Sequence, residues 1–365
     1  MLSINSFKLK SQQPHNKSKI DALAFLKAVL LTQGVRLSPL IGSHLIDKPF
    51  YSVVTSGIEL EFDSGIVANA PINSNSPVLL RQIEDRAEIS FNGFKYHTRI
   101  FPVAQSLFKY IPDTSIEISN YCHISTDRIN IWSIESCSQK LFDKACSFCD
   151  VGYDDVEYCC QPLDRIQYAM NSVLKDNSLT INHIQVSGGT PLKEDWDHYL
   201  SVCRIAVDTG LPVSAMLTPW APDSVFDELF KIGVCELALN VEFASEEARK
   251  KFTPGKRQNP WDRLGLIASK WTKGKVRSAL IVGLEDERIT VNGINKLFDI
   301  GVVPMLSPFR PAKNTPLARY PITSADLLYR VYMQGLDMAD KYNSIIGPSC
   351  RFCQNNVMAL PDDFQ

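Results

Sequence analysis

Cys137, Cys146 and Cys149 are spaced C-x8-C-x2-C, and three thiolates on one short segment can hold a metal centre. The number is informative. A four-iron cluster ligated on three irons leaves its fourth iron open to a ligand, whereas a closed structural zinc site needs a fourth protein ligand. Cys159 and Cys160 could supply that fourth ligand, so on this segment alone zinc and iron–sulfur both stand. A second pair, Cys350 and Cys353, brackets an aromatic in Cys350-Arg351-Phe352-Cys353. Three readings stand for it: an auxiliary metal site completed by Cys159 and Cys160, a substrate-contacting or redox pair, and packing. The remaining chemistry-bearing pieces are Ser187-Gly188-Gly189-Thr190, Asn240 with Glu242, the Ile281-Val282-Gly283 turn, and Arg310. Paired glycines admit a ligand to backbone groups that a side chain would cover. Arg310 can hold a substrate carboxylate in a bidentate pair or close a structural salt bridge. Arg277 reads as a surface charge, and Cys203 and Cys235 as core.

Side chains so far apart in the chain need a scaffold that gathers them. From about Asn130, apolar runs of five to eight residues alternate with amphipathic stretches, the rhythm of successive parallel βα units. The runs predict strands at Asn130–Ile134, His183–Ser187, Val213–Leu217, Leu237–Val241, Ser278–Gly283 and Val302–Ser307. Helices are predicted at Leu163–Leu174, Trp196–Asp208, Ser224–Ile232, Gln258–Trp271, Ile289–Ile300 and Ser324–Tyr342. Six units imply an α/β fold, a partial (β/α)6 TIM-like barrel over residues 126–345, with chemistry in the loops after the strand C-termini. Each candidate residue from Cys137 to Arg310 falls at the C-terminal end of such a strand or in the loop after it. Residues 1–125 read as a smaller β-rich or α+β domain, with a helix at Ile20–Leu31 and strands at Tyr51–Thr55, Ile58–Phe62, Ile66–Ala68 and Glu88–Phe91. Residues 346–365 form a tail carrying the second C-x2-C.

Composition narrows the class. The 365 residues are 45% hydrophobic and 21% charged, close to soluble globular averages, which excludes wholesale disorder and a membrane-embedded chain. Lys plus Arg number 38 against 40 Asp plus Glu, so there is no basic excess of the kind that tracks phosphates. With no run of eighteen apolar residues and no signal-peptide pattern, the expected location is cytoplasmic. Ten cysteines in such a chain point to metal or catalysis before disulfides.

The cysteine loop after strand one and the Gly-Gly-Thr-Pro loop after strand two resemble those of the radical S-adenosylmethionine (SAM) enzymes, in the biotin-synthase-like and MoaA-like form. The resemblance covers about Asn130 to Tyr342. It implies that Cys137, Cys146 and Cys149 ligate a [4Fe-4S] cluster, and that Phe148 lies against the adenine of SAM. It further implies that Ser187, Gly188, Gly189 and Thr190 bind the methionyl amino group, that Asn240 and Glu242 bind the ribose or methionyl group, and that the Ile281 to Gly283 turn contacts adenine. Asn240 and Glu242 share a face by the strand period of two. The chain departs from the family pattern in two places. Eight residues separate the first two cysteines where three are usual, and Thr190 stands where Glu is common.

The implied activity is reductive cleavage of SAM to a 5′-deoxyadenosyl radical, which abstracts hydrogen from a small-molecule or peptide substrate. A reductase, flavodoxin or ferredoxin would donate the electron. Two alternatives remain: a radical SAM enzyme acting on RNA, supported only by Lys8, Lys10, Lys17 and Lys19, and a non-enzymatic zinc-binding barrel protein.

Overall fold

The computed structural model describes residues 14–39, 57–83, 86–102, 104–153, 155–256 and 259–361. The strand expected at Tyr51–Thr55 and the lysines Lys8 and Lys10 lie outside the described residues, as do the side chains of Lys17 and Lys19.

Helix α1 (Pro14–Gln33) precedes strands β1 (Arg36–Leu37), β2 (Ile58–Phe62), β3 (Val67–Ala70), β4 (Leu79–Ile83), β5 (Arg86–Phe91) and β6 (Phe94–Ile100). These strands form a six-stranded sheet in the order β1-β4-β5-β6-β2-β3. In β2 the apolar Ile58, Leu60 and Phe62 are buried and alternate with half-buried Glu59 and Glu61. Asn92 and Gly93 both take positive φ, 49° and 80°, the two-residue turn that suits the twist of the β5–β6 hairpin.

The second sheet has seven strands in sequential order: β7 (Cys122–Ser125), β8 (Arg128–Trp132), β9 (His183–Ser187), β10 (Val213–Met216), β11 (Glu236–Ala238), β12 (Val276–Val282) and β13 (Val303–Pro308). β7 and β8 make an antiparallel hairpin, and every pairing from β8 to β13 is parallel. Helices α2 (Leu163–Leu174), α3 (Trp196–Val207), α4 (Asp223–Lys231), α5 (Glu246–Phe252), α6 (Trp261–Lys270), α7 (Glu287–Asp299) and α8 (Ala325–Tyr342) fill the connections and the C-terminal end. The chain is thus a mixed α/β protein, with β9 and α2 at the bounds their sequence predicts. Strand β7 and the short α5, capped by the Ser245 hydroxyl on Ala248 N–H at 3.1 Å, are additions to the predicted set.

Alternation sorts the side chains of this sheet. Ile129, Ile131, Ile184 and Val186 join the main apolar core, leaving Arg128, Asn130 and Trp132 of β8 and His183, Gln185 and Ser187 of β9 for the opposite face. There Arg277 of β12 donates to Gln185 Oε1 of β9 at 3.2 Å. Strands three places apart are about 14 Å apart in a flat sheet, so this contact requires the sheet to curl around its polar face. Arg277 is therefore no surface charge. It is 3% exposed and pairs with Glu236 of neighbouring β11 at 2.8 Å.

The tail runs beside the free edge of β13, where Gly347 N–H donates to Pro304 O at 2.8 Å and Met358 N–H to Leu306 O at 2.7 Å. Between those points it crosses to the β7–β8 turn, whose Thr126 hydroxyl donates to Phe352 O at 3.0 Å. Buried Lys27 of α1 donates to Gln354 O at 2.9 Å and Ala359 O at 2.5 Å. Among the described residues, no helix is long and apolar enough to cross a membrane.

Candidate metal and cofactor site

The chain leaves β8 through Ser133 and Ile134, fixed by Ser133 N–H on Ser187 O at 3.3 Å and by a bridge between Ile134 and Cys160. Cys137 follows. A 3-10 turn over Ser138–Phe142 ends at Asp143 in the left-handed region (φ 53°), and Lys144 N–H returns to Gln139 O at 2.9 Å. The eight-residue spacer is thus a folded loop that brings Cys146 back toward Cys137. Cys149 N–H then donates to Cys146 O at 3.1 Å.

Burial pushes the Cys146 thiol up to about 12, with Lys256 pulling against it and Glu242 and Cys137 adding to it. Cys149 is also raised, first by burial and then by Cys146, Asp150 and Cys137. The three thiols therefore lie within electrostatic reach of one another, and Cys146 and Cys149 are neutral as free thiols at neutral pH. A bound metal would deprotonate them. Among the described residues, no group of three or more Cys, His, Asp or Glu stands at the spacing of a single metal ion. Three cysteines on one loop are the donor set that a cluster ligated on three irons takes.

Cys159 and Cys160 do not extend this set. Cys159 interacts with Glu135 and Cys160 with Asp195, and both are raised mainly by burial. Nor do they meet the tail. Cys353 lies 3.2 Å from His183 Nδ1 at the start of β9, whereas Cys160 bridges to Ile134 beyond the end of β8. The four-thiolate site that would join the two pairs is overturned, because they occupy opposite ends of the sheet. Cys353 hydrogen-bonds Cys350 and holds its thiol down to about 6. Cys203 is buried as expected, but Cys235 is exposed.

The loop after β9 is locked to the cysteine loop. Thr190 N–H donates to Cys137 Sγ at 3.3 Å, and Ser138 N–H to Thr190 O at 3.0 Å. A Cβ added to Gly189 would lie 2.6 Å from Cys137 Cβ, so glycine here makes room for Cys137 itself. Gly188 has φ 125°, a conformation that disfavours any side chain, with nothing closer than 3.6 Å to an added Cβ. Ser187, the last residue of β9, is buried.

Asn240 and Glu242 do not share a strand face. β11 ends at Ala238, and Glu242 takes φ 59°, pairing as an isolated bridge with Leu280. Asn240 Oδ1 accepts the Ala279 N–H at 3.1 Å, replacing the ladder bond that the ended strand no longer offers. The two are joined instead by Lys256, which the sequence reading missed. Its ammonium donates to Asn240 O at 3.2 Å and to Glu242 Oε1 at 2.5 Å. Burial raises the Glu242 carboxyl, with Lys256 opposing. Burial also works against charged Lys256, but Glu242, Cys146 and Cys149 outweigh it and hold Lys256 above its usual value. No sequence periodicity marks this lysine, because it follows α5 in an irregular turn.

Phe148 packs against an apolar cluster that holds Phe243, Phe252, Ile281 and Phe309, with its ring 5.8 Å from that of Phe243. Gly283 (φ 108°) ends β12 next to Thr323, whose hydroxyl donates to Val282 O at 2.6 Å. Arg310 Nη1 donates to Asn69 Oδ1 of β3 at 3.3 Å, and burial lowers it to about 10 against the pull of Glu59.

No family model and no curated protein matches the chain. Methylornithine synthase is a similar solved structure, at 17% identity and TM-score 0.47, over 61% of this chain and 64% of that one. SuiB from Streptococcus suis bound to S-adenosylmethionine is similar at 13% identity and TM-score 0.47, over 60% and 48%. Coproporphyrinogen III oxidase from Escherichia coli, a radical SAM enzyme, is similar at 12% identity and TM-score 0.36, over 45% and 41%. The chain spans less than two thirds of each of these proteins.

Proposed function

We propose that this chain is a radical SAM enzyme acting on a small-molecule or peptide substrate, with a reductase, flavodoxin or ferredoxin as electron donor. The observation that supports it is the junction at the C-terminal ends of β8 and β9. A loop bearing three thiols within electrostatic reach is hydrogen-bonded and close-packed onto a glycine pair.

In this reading Cys137, Cys146 and Cys149 hold a [4Fe-4S] cluster. Bound there and reduced, the cluster would supply the electron for reductive cleavage of SAM, the chemistry that yields a hydrogen-abstracting radical. The chain's own groups bind and orient. Backbone at Ser187, Gly188 and Thr190 faces the methionyl amino group, and Phe148 with Ile281 offers an apolar wall to adenine. Glu242, steadied by Lys256, receives ribose hydroxyls or the methionyl group, and the aromatic cluster keeps water out. Asn240 serves through its carbonyl and by fixing the start of that turn.

Anaerobic incubation with dithionite and SAM tests this. The expected product is 5′-deoxyadenosine, detected by mass spectrometry and lost in Cys149→Ala. A yield no greater than that of the variant, from protein carrying about four irons per chain, would contradict the proposal.

A further inference from the structure

Three polar side chains on the interior face of the β7–β8 hairpin make no hydrogen bond. Arg128 is 6% exposed, His123 8% and Asn130 2%, and Arg128 Nε, His123 Nδ1 and Asn130 Nδ2 are all buried without a partner. His123 and Asn130 are directly paired across the hairpin, and Arg128 sits two residues from Asn130 on the same face. Among the described residues Arg128 forms no ion pair within 4.0 Å. The oxygens of nearby Glu59 are hydrogen-bonded by Asn69, Ser125 and Asn355, and Asp127 accepts from Asn182 at Oδ2, with its Oδ1 buried and unpartnered; both carboxylates act on Arg128 at a distance, and neither hydrogen-bonds the guanidinium. A guanidinium in this state is costly, because a buried charge needs both a counter-charge and hydrogen-bond acceptors.

We propose that Arg128, Asn130 and His123 form a subsite for an oxyanion, a carboxylate or phosphate group carried by the substrate. The guanidinium offers a planar fork that fits either group, and the Asn130 amide adds a donor beside it. His123 is neutral, held down to about 3 by burial and by Arg128, so it can present one ring N–H without adding charge. The subsite lies at the opposite end of β8 from the cysteine loop. Trp132 stands above it, its ring 5.5 Å from that of His123, and four residues of strand correspond to about 13 Å of depth. Resting on the proposed function, this makes the substrate an elongated anion, gripped at one end and presented to the cysteine site at the other. The tail, with Cys353 at His183, forms the floor.

Calorimetric titration of the full-length, cluster-loaded protein with glutarate, inorganic phosphate and chloride at equal ionic strength tests the subsite. Saturable binding of glutarate or phosphate beyond chloride is expected, and which one binds identifies the group. Arg128→Met should weaken it by about tenfold or more, and Arg128→Lys, which keeps the charge but loses the fork, by less. If Arg128→Met does not fold, Arg128→Lys and Asn130→Ala carry the comparison. No binding beyond chloride, or equal binding in wild type and variants, which would mean an adventitious ion only, overturns the subsite. The outcome is separable from the proposed function. Loss of the oxyanion site with 5′-deoxyadenosine formation intact removes this inference alone, and the converse removes the radical SAM reading alone.

Discussion

Lys256 places a cation between a buried carboxylate and two thiols, and its removal should be felt first as instability. Glu242 would keep its burial and lose its counter-charge. Because the lysine is 21% exposed, Lys256→Met should cost on the order of 2 kcal/mol, less than a fully buried pair. Thermal unfolding of the iron-free protein measures this, and adding Glu242→Gln should recover part of the loss. Gly189 carries the second residue-scale prediction. Gly189→Ala pushes against Cys137, so reconstituted protein should lose iron, whereas Gly188→Ala should keep its iron at a backbone cost of about 1–3 kcal/mol. Iron retained in Gly189→Ala would show that the two loops can part. Cysteine spacing and paired glycines were legible in the sequence because such signals are local. Lys256 was not, since its meaning comes from a left-handed Glu242 fourteen residues earlier.

Strands and helices with strong apolar rhythm were legible to within a few residues. β6 was missed for a physical reason: only Thr98 of its seven residues is buried, so Phe94–Ile100 carries no alternating apolar signal. β7 was missed because its four residues, Cys122 to Ser125, include one aliphatic side chain, Ile124, and so carry no alternating apolar signal. The tail was opaque for another reason, as its contacts are polar and distant in sequence: Lys27 to Gln354 O and Ala359 O, and Asn355 to Glu59. Lys27 makes the α1–tail contact dependent on pH. Burial lowers its pKa to about 7 from an unfolded value of 10.5. Between those values the unfolded chain binds the extra proton, so this contribution is complete above the unfolded value, shrinks as pH falls and is lost below about 7. Denaturant unfolding from pH 7 to pH 10 should therefore show a wild-type stability that gains on Lys27→Met by up to about 1.4 kcal/mol per pH unit. Parallel curves would mean the amine stays charged in the fold.

At the scale of the whole molecule, one sheet does two jobs at its two ends. The C-terminal ends of β8 and β9 carry the thiols and glycines, and the N-terminal ends meet the tail and the orphaned Arg128. The alternation of parallel βα units foretold the first end. The second was illegible because Arg128 and His123 on one hairpin, Cys353 in the tail and Glu59 of β2 come from three separate segments, two of them outside the parallel units. The central claim is that the trio Cys137, Cys146 and Cys149 alone holds the proposed iron centre. Electron paramagnetic resonance of the dithionite-reduced protein, with and without SAM, tests it most directly. The account predicts one reduced-cluster signal that changes when SAM is added, is absent from Cys146→Ala, and persists in Cys350→Ala/Cys353→Ala. A signal that survives Cys146→Ala, or that vanishes with the tail pair, would contradict it.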